Sequence, residues 1–121
     1  MIDKIANLVN ADIRLVQRGR FVDTTFLIAV DDDCTLVRVQ DGRVTKVTPG
    51  PFITPNYSFA LRASRSVWEK FWRPLPPIGY TDVFALVKSR QMRLEGDLHP
   101  FMANLLYFKD VLATPRKEAR R

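Results

Sequence analysis

The chain has 121 residues, 46% of them hydrophobic and 26% charged, with eight prolines, one cysteine and one histidine. That is the length of one ordinary domain with enough apolar content for a core, so wholesale disorder and a multidomain layout are excluded. Cys34 alone cannot form an internal disulfide framework or a cysteine-built zinc site, and His99 alone excludes a multi-histidine metal centre.

The net charge of +6 is unevenly placed: residues 1–60 carry seven basic and seven acidic side chains, residues 61–121 twelve and six. Half of that excess lies in residues 116–121, which read as a basic flexible tail on a single domain of residues 1–115. Aromatic residues in the basic half recur at apolar-face spacing instead of interleaving with the cations, which argues against a nucleic-acid surface. The start of the chain is charged at Asp3 and Lys4, where a secretory signal needs an apolar core. No apolar run approaches the roughly 20 residues of a membrane span. A soluble, cytoplasmic protein is expected.

Ile2, Ile5, Ala6, Val9, Ile13 and Val16 follow helical spacing and predict one amphipathic helix that stops at Gly19. Residues 21–30 read as a strand, and residues 26–30 are apolar on both faces, as in a central strand covered on both sides. Asp31, Asp32 and Asp33 make a polar turn; a Ca²⁺ loop needs spaced ligands and a glycine at its bend. Residues 34–40 alternate as a second strand. Asp41-Gly42 is a two-residue hairpin signal, and residues 43–48 return as a third strand. After breaks at Pro49, Pro51 and Pro55, a fourth strand places Tyr57, Phe59, Leu61 and Ala63 on one face.

Ser64 caps a short helix carrying Val67, Trp68, Phe71 and Trp72. Residues 73–80, with three prolines and a glycine, form a stiff internal loop. Thr81 caps a second short helix with Val83, Phe84, Leu86 and Val87. Residues 91–95 are a brief strand with Met92 and Leu94 on one face. Asp97 then caps a terminal helix striped by Leu98, Phe101, Met102, Leu105, Phe108 and Leu112, with Pro100 in its first turn. Strands joined by hairpins with helices grouped after them argue an α+β fold, an antiparallel sheet covered by helices.

Enzymatic chemistry finds no support in this pattern. A hydrolase needs a nucleophile, a base and an orienting group within reach. His99 reads as an exposed first-turn residue, Cys34 as a small buried hydrophobe, and Asp97, near Glu95, as a helix cap. The five glycines are too scattered for a phosphate loop. A non-enzyme with no cofactor is expected.

Residues 63–72 (Ala-Ser-Arg-Ser-Val-Trp-Glu-Lys-Phe-Trp) and 89–97 (Ser-Arg-Gln-Met-Arg-Leu-Glu-Gly-Asp) resemble the sterol carrier protein type 2 family. In that family a strand enters a short helix through an Ala-Ser-x-x-x-Trp-like segment, and a Lys-Leu-x-x-Glu-Gly-Asp-like strand end precedes an apolar terminal helix. The resemblance implies a five-stranded, mainly antiparallel sheet with helices on one face enclosing an apolar cavity that takes lipids, fatty acyl chains or sterols. It implies a cavity lining of Trp68, Phe71, Phe84, Val87, Phe101, Leu105 and Phe108, faced from the sheet by Phe59 and Leu61. In a lipid carrier, Arg62, Arg90 or Arg93 would be available to an acidic head group, although each reads first as a solvated surface charge. The proline loop of residues 73–80 departs from the family's compact turn and would border the cavity mouth. Two functions follow as expectations: a small non-catalytic lipid carrier, or an interaction module of the same fold with a collapsed tunnel. In the second case the chain pairs with itself or with an enzyme through exposed aromatics such as Trp72 and Tyr80.

Overall fold

The fold was obtained as a computed structural model, which describes residues 2–116, the side chain of Asp3 excepted. Strands β1 (Asp23–Val30), β2 (Asp33–Gln40), β3 (Arg43–Pro49), β4 (Phe59–Ala63) and β5 (Met92–Gly96) form one sheet in the order β3-β2-β1-β4-β5. Three of the four pairings are antiparallel, and that of the central strand β1 with β4 is parallel. The mainly antiparallel α+β architecture is therefore present, as a mixed sheet.

The register sorts side chains by face, because neighbours along a strand point opposite ways. Phe26 lies opposite Phe59 and Ile28 opposite Leu61. These residues, with Val37, Val39 and Met92, meet the helices in the main core. The other face of β1 and β4 carries Leu27, Ala29 and Ala60, buried against Cys34, Leu36 and Tyr57. So β1 is covered on both sides, as its unbroken apolar run requires. Tyr57 differs from expectation: β4 begins only at Phe59, so the alternation does not reach back to Tyr57, which packs on the opposite face from Phe59.

The turn at Asp41-Gly42 has φ of 54° and 80°, the left-handed pair that a type I′ hairpin demands. Glycine is required there twice over, since a Cβ on Gly42 would sit 2.3 Å from the Val16 carbonyl oxygen. The first helix is not continuous. A 3-10 turn (Ile2–Lys4) leads into α1 (Ile5–Asn10), and α2 (Ile13–Arg18) starts afresh because the Asp12 carboxylate accepts from the Leu15 N–H at 3.2 Å. An aspartate favours that N-cap role over the helix interior. The restart turns Leu15 and Val16 inward and leaves Ile13 74% exposed.

Helix α3 (Arg65–Phe71) is capped by Ser64, whose hydroxyl accepts from the Val67 N–H. Helix α4 (Val83–Lys88) is capped by Asp82, not Thr81: the carboxylate accepts from the Phe84 N–H at 3.0 Å. The terminal helix is divided at Asn104 into α5 (His99–Ala103) and α6 (Leu105–Ala113), and Asp97 accepts from the His99 N–H at its start. Of the expected basic tail, Arg116 is anchored to backbone carbonyls of Phe71, Tyr80 and Thr81. Residues 117–121 lie outside the described residues.

Candidate functional site

Between the sheet and the C-terminal helices lies a cluster of aromatic rings. Phe26 stacks on Phe59 at 5.2 Å between centroids, and Phe101 and Phe108 meet Phe59 edge-on at 5.3 and 5.2 Å. These are ordinary packing distances for offset and T-shaped pairs. Of the nine side chains named from the sequence, Phe59, Leu61, Phe101 and Phe108 belong to this fully buried cluster. Trp68 and Phe71 on α3 are also buried, while Phe84, Val87 and Leu105 are half-buried at its margin. The structure brings all nine into one core.

Beside that core is an open cleft of about 550 Å³. Its apolar wall is Ile2 from the N-terminal turn, Val30 from the end of β1, Trp68 from α3, Trp72 at the C-cap of that helix, and Pro74 from the proline loop. Asp33, Thr35, Arg65, Glu69 and Arg73 form the polar rim. Trp68 is the one residue shared between this lining and the nine. The cleft arises because α3 leaves β4 at Ser64 and runs beside the exit of β1, with the N-terminal turn closing the far side. Those segments are roughly 30 to 70 residues apart in sequence, so no local spacing marks them as partners.

The two indoles are fixed in place. Their rings stack at 4.8 Å, the Trp68 Nε1–H donates to the Ala29 carbonyl at 2.9 Å, and the Trp72 Nε1–H donates to the Leu112 carbonyl at 2.9 Å. Both polar edges are satisfied inside the protein; Trp68 is fully buried, and what little indole surface the cleft meets is apolar and belongs to Trp72. Trp72 is 6% exposed and is therefore a wall of the core, not the exposed contact aromatic expected of it. On the rim, Arg65 donates to Asp33 at 2.8 Å, while Arg73 stands exposed beside it.

The arginines considered for a head group lie elsewhere. Arg62 and Arg93 alternate with the core-facing Leu61 and Leu94, and both pair with Glu95 on the sheet's other side. Burial tends to lower the Arg62 guanidinium, but hydrogen bonds to Glu95 and Tyr57 outweigh it and leave the group raised. Arg90 takes a left-handed φ of 64° after α4. Cys34 is half-buried on the sheet face away from the main core, and His99 is exposed at the start of α5. Among the described residues, no group of three or more His, Cys, Asp or Glu side chains is placed to hold a metal, and no helix is long and apolar enough to cross a membrane.

No family model matches the sequence, and no curated protein does either. Solved structures do match. A crystal structure of sterol carrier protein 2 superposes with a TM-score of 0.78 over 95% of this chain and 92% of its own, at 9% identity. A ubiquinone synthesis protein, UbiJ-SCP2, gives 0.61 at 13% identity over 95% and 87%. The palmitated SCP2L2 protein from Aedes aegypti gives 0.53 at 20% identity over 92% and 89%. The chain has the fold of sterol carrier protein 2.

Proposed function

We propose that this chain is a small non-catalytic carrier of a hydrophobic ligand such as a fatty acyl chain, held in the cleft beside α3. The observation that carries the reading is the cleft itself: about 550 Å³, walled by two immobilised indoles, Ile2, Val30 and Pro74. Its size falls within the roughly 300–1,000 Å³ of small-molecule sites. With both indole N–H groups already engaged, binding is driven by removal of apolar surface from water and hardly at all by hydrogen bonds. The fold likeness supports this reading, since one structure of the same fold is palmitated. Trp68 is retained from the nine residues named from the sequence, and the other eight form the packed wall behind it.

The test is uptake of a dansyl-labelled fatty acid followed by dansyl emission. Wild type takes up the probe saturably, Val30→Trp loses at least tenfold in affinity by filling the cleft, and Leu105→Trp retains uptake. If Leu105→Trp abolishes uptake while Val30→Trp does not, the ligand lies among the interior aromatics and the cleft assignment is wrong. No saturable uptake by wild type ends the carrier reading altogether.

A second reading, the same fold working with a partner enzyme, draws on the likeness to a ubiquinone synthesis protein and on the exposure of Met102 and Leu106 on neighbouring turns of α5 and α6. Light scattering of the chain alone and with a captured enzyme tests it: a strictly monomeric chain that retains no partner counts against it.

A further inference from the structure

We propose that the proline loop between α3 and α4 is a docking tip for an anionic lipid bilayer. Isolated exposed apolar residues are ordinary on protein surfaces. Here two large ones stand within four positions on a stiff loop: Leu75 is 84% exposed and Ile78 fully so. Pro74, Pro76 and Pro77 fix the backbone φ around them, so holding both side chains outward costs little conformational entropy. Gly79 completes the turn at φ +90° with open space around it.

The feet of the loop are cationic. Lys70 lies 5.2 Å over the Tyr80 ring, Arg73 is exposed, and Arg116 ties the two feet together through the carbonyls of Phe71, Tyr80 and Thr81. Lys88 and Lys109 flank Phe84 just beyond. Against these five cations stand two acids, Glu69 on the cleft rim and Asp82, which caps α4 and pairs with Lys109. Apolar tips above a belt of cations match the layering of a bilayer interface, acyl boundary below and anionic head groups above.

A bilayer fits this surface better than a protein does. A stable protein complex covers about 800 Å² on each partner, and two aliphatic side chains on a narrow loop supply only a fraction of that. The prolines also deny the loop the N–H groups that pairing with a partner strand would use. Arg73 and Pro74 belong to both the loop and the cleft lining, so a docked loop sets the cleft against the membrane surface. The docking surface stands on its own residues, whether or not the cleft carries lipid.

The experiment is co-sedimentation of the full chain with vesicles of phosphatidylcholine alone or mixed equally with phosphatidylglycerol. Binding is expected to the mixed vesicles and to fall steeply with added salt. The double variant Leu75→Ser, Ile78→Ser is expected to lose at least tenfold. Each charge reversal, Lys70→Glu or Arg73→Glu, is expected to lose at least about fivefold, and circular dichroism should be unchanged because Arg73, Leu75 and Ile78 are exposed and Lys70 is only half-buried. Uptake of the dansyl fatty acid from solution by the serine variant is expected to match wild type, which separates this proposal from the carrier reading. Absence of wild-type binding to either vesicle, or undiminished binding by the serine variant, overturns the proposal. So does a wild-type dimer that ignores vesicles and becomes monomeric in the serine variant, since the tip is then a protein contact.

Discussion

The aromatic interior and the cleft beside α3 are built from the same kinds of residue and differ in how those residues are closed off. In the interior, Phe26, Phe59, Phe101 and Phe108 satisfy one another ring to ring with no polar edge to place. At the cleft, Trp68 and Trp72 also stack, but each has a polar edge that a backbone carbonyl from another element holds. Both sets are closed to solvent, but the indoles are pinned along one edge beneath the cleft, where Trp72 alone keeps 6% of its surface accessible. Apolar content alone does not make a binding site; an apolar surface prevented from collapsing does.

The sharpest way to test that contrast is to empty the interior. Phe59→Ala removes the ring that three others touch and should destabilise the fold by about 3–5 kcal/mol in urea unfolding. A loss under about 1 kcal/mol would mean the interior is loosely filled and the contrast false.

Titration probes the helical layer from its far end. Burial pushes the Tyr107 hydroxyl up to about 12, where it donates to the Gly42 carbonyl at 2.8 Å. Its folded value lies above its unfolded value of about 10, so above pH 10 the unfolded chain releases the proton first. Stability is complete below pH 10 and falls by about 2–3 kcal/mol as pH rises toward 12. Tyr107→Phe should remove this part of the alkaline loss, as read by unfolding at pH 9 and 11.5; an unchanged pH profile contradicts the assignment.

Arg116 tests how the cleft's loop is held. Its guanidinium donates to the carbonyls of Phe71, Tyr80 and Thr81 and lies 4.4 Å over the Phe71 ring. Burial lowers the group from its ordinary value, with Asp82 opposing that shift. Arg116→Ala should cost about 1–2 kcal/mol and speed amide exchange in residues 73–82. Arg116→Lys should not restore protection, because an ammonium cannot span three carbonyls in the same plane. The smallest effect is expected at the rim, where Arg65→Ala breaks an exposed pair with Asp33 and should change stability by under about 1 kcal/mol.

Local signals made most of the fold legible in the sequence. Asp41-Gly42 announces its hairpin, Ser64 its helix, and the twofold apolar run of residues 26–30 its central strand, because each depends on residues a few positions apart. Errors came where two local rules competed. Asp12 interrupts the helical stripe whose spacing Ile13 continues, and Asp82 takes the cap from its neighbour Thr81. The aromatic core could be read from spacing, whereas the cleft could not: Ile2, Val30 and Pro74 meet only through the tertiary path of the chain. Nothing in the run of residues 116–121 announced that Arg116 would bridge both feet of the proline loop.

The central claim is that an acyl chain lies against the two stacked indoles, and heavy-atom quenching addresses it directly. Titrating the protein with stearate and with a dibrominated stearate, while following emission of its only tryptophans, Trp68 and Trp72, compares ligands that differ in contact-range quenching alone. Strong, saturable quenching by the brominated chain and little by the plain one is the predicted result. Equal emission with both ligands would place the chain away from the indoles and contradict the account.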